Sequence, residues 1–222
     1  MGPEAHALMQ SVDAGKRIPN PVVERLSVYS RVLMAMLRDG ENMASSAGLA
    51  ERTGFSAVQI RRDLTFLGQL GTRGIGYDIR PLHARLEQIL GVDVERRVVI
   101  VGAGNLGSAL IGYTGFREHN FRIVAAFDIA PDRVGVTAQD GVGIRHLDDL
   151  DAVVAEENVD IAVLAVPVAG AQSALDVVVK AGIRAILNFA PTQLAVPSGV
   201  RLRNVDLSVE MEALSFHLAQ GS

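Results

Sequence analysis

An α/β chain in two parts, a small helical head followed by a parallel-sheet domain, is the fold class that the sequence predicts, on three observations. Apolar residues recur at helical spacing in the first third of the chain, whereas short β-branched runs alternate with amphipathic stretches from Arg97 onward. Between the two textures, Gly68 to Tyr77 holds four glycines in ten residues, which forbids a helix and suits a tight hairpin. Charge divides at nearly the same place. The formal net charge is -4, yet residues 1–85 carry 11 basic and 8 acidic side chains (+3), and residues 86–222 carry 10 and 17 (-7). Asymmetry of this kind marks a chain whose parts meet different partners.

Composition excludes several classes. With 222 residues, two modest cores can form, and 49% hydrophobic against 21% charged residues is a globular balance, not a disordered one. The absence of cysteine removes disulfides, thiolate metal sites, iron–sulfur clusters and thiol redox chemistry. No apolar stretch reaches the roughly 18–20 residues of a membrane span; the run from Ile161 to Ala171 is broken by Pro167 and Gly170. Glu4, His6 and Asp13 do not follow the basic-then-apolar order of a secretory signal, so the cytoplasm is the expected location.

Along the chain, residues 1–19 lack periodicity and are expected to form a flexible arm. Asn20-Pro21 reads as a helix start, a capping side chain followed by a proline whose missing N–H costs nothing. Leu26, Tyr29, Leu33, Met36 and Leu37 carry that helix to Asp39-Gly40. Ser45-Ser46 cap a short helix ending at Gly54, and Ser56 caps another running to about Leu67. After the hairpin, Leu82, Leu86, Ile89 and Leu90 mark a linker helix that stops at Gly91. Strands are then expected at Val98–Val101, Ile123–Phe127, Ile161–Ala165, Ala185–Phe189 and Val200–Arg203. Helices are expected from near Asn105, Leu147 and Ala169, and from Asp206 to Ala219.

Ala50, Gly54 and Ile60 fall at positions 5, 9 and 15 of a segment starting at Ser46. A helix-turn-helix needs there a small residue for close packing, a glycine for the turn and an apolar core residue. Its second helix would offer Ser56, Ala57, Gln59, Arg61 and Arg62 to base edges or phosphates, and the hairpin would be a wing with Arg73 aimed at phosphate or the minor groove. A small helical cap with a solvated basic edge is the competing reading of these residues.

In the second part, Val98-Val99-Ile100-Val101 runs into Gly102-Ala103-Gly104-Asn105-Leu106-Gly107, a buried strand followed by G-x-G-x-x-G. The first glycine permits a tight turn, the second lets backbone approach a pyrophosphate, and the third allows a helix to pack closely on the strand. Asp128 ends the next strand 21 positions beyond Gly107, where an acid accepts hydrogen bonds from the adenosine ribose and repels the 2′-phosphate of NADP, favouring NAD(H). A purely structural turn is the alternative. No catalytic or metal-ligating set stands out: His119, His146 and His217 read as surface or packing residues, and Lys180 complements a helix end. Strands and helices consume residues 97–219, leaving a cofactor site without a substrate domain.

From about Pro21 to Leu218 the sequence resembles the redox-sensing transcriptional repressor Rex family of bacteria. The resemblance rests on Gln59-Ile60-Arg61-Arg62-Asp63-Leu64, Gly71-Thr72-Arg73-Gly74-Ile75-Gly76-Tyr77-Asp78, the Val101–Gly107 loop, Ile186-Leu187-Asn188-Phe189-Ala190-Pro191 and Asn204-Val205-Asp206-Leu207-Ser208-Val209-Glu210. It implies a winged-helix DNA-binding domain over 20–85, a Rossmann-like NAD(H)-binding domain over 86–205 and a C-terminal dimerisation helix over 206–220, exchanged between the subunits of a homodimer. It implies a repressor that binds an inverted-repeat operator when NADH is low and leaves it when NADH binds. Gly102, Ala103, Gly104, Asn105, Leu106 and Gly107 would hold the pyrophosphate and Asp128 the ribose. Val166, Pro167, Asn188, Phe189 and Pro191 would border the cofactor. Tyr113, Arg31 and Asp206 match the family's switch, in which the aspartate pairs with the arginine in one state and engages the tyrosine beside the cofactor in the other. Ser27 departs from the proline of many members. Two other readings remain: an NAD-dependent oxidoreductase, which would turn over NADH, and a nucleotide- or CoA-binding scaffold with no role at DNA.

Overall fold

The computed structural model describes residues 18–68, 71–72 and 74–220 and divides into two compact units between Val94 and Glu95. The arm expected over 1–19 lies outside the described residues apart from Ile18 and Pro19, and so does Arg73.

In the N-terminal unit, helix α1 (Asn20–Arg38) buries Val22, Leu26, Tyr29, Leu33 and Met36 along one face. Each large side chain so buried contributes roughly 1.5–3 kcal/mol. Its start differs from the expectation. Pro19 is the N-cap and Asn20 the first helical residue, so no side chain caps the helix; the Pro19 carbonyl accepts the N–H groups of Val22 and Val23 instead. The helix passes unbroken through Ser27, whose hydroxyl donates to the Val23 carbonyl at 3.1 Å. Helices α2 (Ser46–Thr53) and α3 (Ala57–Leu64) begin as the sequence indicates, the Ser45 hydroxyl accepting the Gly48 N–H and the Ser56 hydroxyl the Gln59 N–H. A 3-10 turn, Thr65–Leu67, extends α3.

The hairpin forms from β2 (Gly71–Thr72) and β3 (Gly76–Asp78), and β3 also pairs with an unexpected two-residue strand, β1 (Met43–Ala44). Gly76 is required there, because its φ is +107° and a Cβ would lie 2.5 Å from the Ala44 carbonyl oxygen. Helix α4 (Ile79–Leu90) follows and ends at Gly91 in the left-handed region. From the sequence, residues from 86 onward are expected in the second domain. The structure puts Leu82 and Leu86 in the same core as Leu26 and Leu33, so this helix completes the N-terminal unit and the division falls at 94/95.

The C-terminal unit is a six-stranded parallel sheet of β4 (Arg96–Val101), β5 (Phe121–Asp128), β6 (Ile144–His146), β7 (Ile161–Leu164), β8 (Ala185–Asn188) and β9 (Arg201–Asn204), ordered β6-β5-β4-β7-β8-β9. Strand β6 is the one beyond the five expected; three residues are too few for apolar alternation to reveal. Helices α5 (Asn105–Ile111), α6 (Gly115–Glu118), α7 (Leu150–Glu157) and α8 (Val168–Lys180) make the connections, and α9 (Leu207–Ala219) closes the chain. One face of the sheet packs Val99, Val101, Phe127 and Leu164 against Leu150 and Leu175, and the other buries Val98, Ile100, Ala126 and Ile111. None of the residues of α9 is buried: Leu207, Val209, Met211, Leu214, Phe216 and Leu218 all stand exposed. No helix among the described residues is long and apolar enough to cross a membrane.

Candidate functional site

The strand order of the C-terminal unit reverses between β4 and β7, and parallel sheets bind ligands beyond the carboxyl ends of the strands at such a point. A cavity of about 440 Å³ lies at these strand ends. Its walls include Gly102, Gly104, Asn105, Leu106, Asp128, Val166, Pro167 and Phe189, so the sheet gathers eight sequence-predicted residues that span the chain from 102 to 189.

The three glycines of the loop do different work. Gly102 has φ +98°, and a Cβ on it would meet the Ala165 carbonyl oxygen at 2.5 Å. A Cβ on Gly107 would lie 1.8 Å from the Gly102 carbonyl oxygen, which is the close approach of α5 to β4. Both are therefore demanded by the protein itself. Gly104 is not: its φ is -69°, open to any residue, and a Cβ would touch nothing nearer than Arg133 Nη1 at 3.4 Å. Its bare Cα faces the cavity, where a side chain would take space from a ligand. A pyrophosphate lying on this backbone fits the residues present.

Asp128, 8% exposed, sits at the end of β5. One carboxylate oxygen accepts the Ile129 and Ala130 N–H groups at 2.8 and 2.9 Å. The other accepts the Ala103 N–H at 2.8 Å and Arg133 Nη1 at 3.1 Å. Burial raises the pKa of this carboxyl, but the N–H groups of Ala130 and Ala103, the Arg133 guanidinium and the Ile129 N–H outweigh it and hold the group below the usual carboxylate range. The aspartate is legible from its place at a strand end. Arg133 is a residue the sequence reading missed, since it lies in an irregular connection with no motif around it.

Other predicted residues stand elsewhere. Ala103 acts through its N–H on Asp128. Asn188 is fully buried with its amide committed to both backbone groups of Ala190 and to Asn204 Oδ1, a latch for the turn after β8, and it does not line the cavity. Tyr113 is 58% exposed, its ring edge-on to Phe116 at 5.1 Å, and also lies outside the cavity lining. Pro191 and Asp206 line a separate hollow of about 240 Å³. Asp206 caps α9 through Ser208, whose hydroxyl and N–H hold the carboxyl below its ordinary pKa. His146 accepts the Asp148 N–H and so serves as a turn cap.

In the N-terminal unit, α2 and α3 meet at Gly54, whose φ of +75° makes the turn the helix-turn-helix pattern requires. Ser56, the N-cap of α3, is exposed, as are Arg61 and Arg62 on the helix, and Ala57 is half-buried. Arg61 reaches Ser46 Oγ at 2.9 Å, whereas Arg62 has no ion-pair partner among the described residues. Gln59 is turned inward, its amide donating to Asp63 Oδ1 at 2.8 Å. Asp63, 1% exposed, also accepts both Nε and Nη2 of Arg25 at 2.6 and 2.9 Å and the Tyr29 hydroxyl at 2.8 Å. Burial pushes this carboxyl up, and the donors from Arg25, Tyr29 and Gln59 more than offset it, leaving it lowered. The same cluster raises the Tyr29 hydroxyl through burial and its bond to Asp63. This network fixes α3 on α1, and a groove of about 520 Å³ runs between Arg61, Thr65 and the hairpin glycines. Arg31 is exposed on α1 without an ion-pair partner among the described residues.

Comparison with known proteins places both units. Residues 17–65 match the family model for a putative DNA-binding protein N-terminus, and residues 93–192 match the one for a CoA binding domain. The redox-sensing transcriptional repressor Rex of Carboxydothermus hydrogenoformans is 45% identical over 92% of this chain and 98% of its own length. That of Streptomyces griseus is 42% identical over 90% of this chain and 79% of its own. Among solved structures, RSP, a Rex-family repressor, matches with 36% identity in its complex with β-NAD+ and operator DNA (TM-score 0.86, 92% of this chain and 94% of that one). It also matches in its complex with β-NADH (TM-score 0.81, 92% and 96%).

Proposed function

The chain belongs to the family of redox-sensing transcriptional repressors named Rex, and from that premise we propose how its two units share one task. It is a DNA-binding repressor that takes NAD(H) as its cofactor and senses the NADH/NAD+ ratio. It is not an enzyme. The observation that carries this reading is the joining, in one chain, of an exposed pair of arginines on the second helix of a helix-turn-helix to a cavity whose Gly104 is bare for no internal reason. A repressor works where the chromosome is, so the protein acts in the bacterial cytoplasm.

Ser56, Ala57, Gln59, Arg61 and Arg62 face the operator, and Arg73 contacts it as well; the arginines reach phosphates or guanine edges, and Gln59 approaches it with its amide still on Asp63. Gly102, Gly104, Asn105 and Leu106 hold the pyrophosphate, and Asp128 faces the adenosine ribose. Val166, Pro167 and Phe189 border the nicotinamide, with Asn188 holding Phe189 in place through its turn. When bound, the cofactor supplies a nicotinamide ring that is cationic when oxidised and neutral when reduced. That difference lets the protein favour one conformation over another. The exposed apolar side chains of α9 are covered by a second copy of the chain, which makes the functional unit a homodimer and suits an inverted-repeat operator with one half-site per winged helix. Asp206 passes between Arg31 and Tyr113 as the state changes.

The test is an operator-binding titration with NADH and NAD+ in parallel. NADH is expected to lower operator affinity and NAD+ to leave it high; equal affinities with both cofactors would remove the sensing role. Arg61→Ala with Arg62→Ala is expected to weaken operator binding and flatten its salt dependence by about one unit of slope per lost phosphate contact, with NADH affinity unchanged.

A further inference from the structure

We propose that Arg133 sets how strongly the cavity distinguishes nicotinamide dinucleotides with a 2′-phosphate from those without one. The inference rests on the reading of the cavity as an NAD(H) site and goes beyond it to the selectivity of its adenosine end.

Asp128 on its own would make the discrimination steep, since a carboxylate beside the ribose repels a phosphate dianion. The geometry shows a different balance. Three backbone N–H groups, those of Ala103, Ile129 and Ala130, converge on the buried carboxylate, so much of its charge is turned inward. Arg133 supplies the fourth donor from the open side; its side chain is 44% exposed, against 7% for that of Asp128. Among the described residues lining the cavity, Asp128 and Arg133 are the only charged pair. The guanidinium also lies nearest to where a Gly104 Cβ would be, so it spans the distance from the ribose-facing carboxylate to the phosphate-facing backbone.

A ribose with free hydroxyls needs one of the four donors to yield its place on Asp128. The three N–H groups are fixed by the backbone, which leaves Arg133 as the donor that can swing away. A guanidinium so displaced remains beside the ribose and matches a phosphate with two parallel N–H bonds. Arg133 therefore lessens the penalty that Asp128 imposes on a 2′-phosphate, while adding little to the binding of a plain ribose.

Binding of NADH and NADPH to the full-length protein, followed by nicotinamide fluorescence or calorimetry, tests this directly. Loss of a charge-assisted bond predicts that Arg133→Ala and Arg133→Gln weaken NADPH about tenfold or more. NADH should change by less than about threefold, and Arg133→Lys should restore most of the NADPH affinity because it keeps the charge. The gap between the variants and the wild type should narrow as salt is raised. A residue that only pins the loop would lose both nucleotides in proportion, so an unchanged NADPH-to-NADH affinity ratio in both variants overturns the proposal and leaves the cofactor reading standing. A wild-type protein that binds neither nucleotide overturns both.

Discussion

Two buried carboxylates, one in each unit, are satisfied in opposite ways. Asp63 draws all its donors from side chains: the bidentate guanidinium of Arg25, the hydroxyl of Tyr29 and the amide of Gln59. Two of these partners lie 38 and 34 positions away, so the cluster ties two helices together. Asp128 draws three of its four donors from backbone N–H groups, two of them on the residues that follow it. The first arrangement orients a whole helix, α3, with its exposed arginines. The second shapes a loop and leaves a single exchangeable donor facing the cavity. A DNA-reading surface needs a rigid mount, whereas a cofactor site needs a place where a ligand can replace a protein group.

The largest effect is expected at Asp63. Asp63→Ala leaves the part-buried Arg25 guanidinium and the buried Tyr29 hydroxyl without their acceptor, and losing a network of this kind costs about 3 kcal/mol. Denaturant unfolding should report a loss of that order, together with loss of operator binding. Acid provides a second reading of the same contrast. Both carboxyls are held below their ordinary pKa, so their contribution is complete above about pH 3.9 and fades as pH falls through the lower, folded-state values. Asp63→Ala should flatten the acid limb of the stability curve; an unchanged limb would show that the network is not what the acid titrates.

Asp128→Ala is expected to cost less, about 1–3 kcal/mol, because water in the cavity can reach part of what the carboxylate satisfied. Its larger effect should be on NADH affinity. Ser56→Ala removes the N-cap of α3 and should cost about 1 kcal/mol, seen as a lower thermal midpoint. Gly104→Ala should do least to stability, within about 0.5 kcal/mol. It should nevertheless weaken NADH binding, which Gly107→Ala could do only by disturbing the packing of α5 on β4. A Gly104→Ala protein with wild-type NADH affinity would sever the link between the bare Cα and the pyrophosphate.

What the sequence discloses follows from how far its signals extend along the chain. Ser45 and Ser56 are legible as caps because a cap acts on an N–H three residues away. The glycine loop and Asp128 are legible because each sits next to a β-branched strand that announces itself. The Asp63 cluster is not, since nothing near Asp63 in sequence points to Arg25 or Tyr29. Arg133 is hidden for a related reason: its partner is five positions away across a loop of no regular period. Strands β1 and β6, with two and three residues, are too short to show alternation and exist because a neighbouring strand offers hydrogen bonds. Asn20 fails as a cap because Pro19 already supplies the carbonyl that starts the helix.

In the function proposed for this protein, the cofactor in one unit and the operator on the other compete through its conformation. Reciprocal linkage tests it most directly. NADH affinity should be measured with and without saturating operator DNA, and operator affinity with and without saturating NADH. Operator is expected to weaken NADH binding by the same factor by which NADH weakens operator binding, about 5–150-fold for couplings of ordinary size. An NADH affinity that does not change when operator is bound would contradict it.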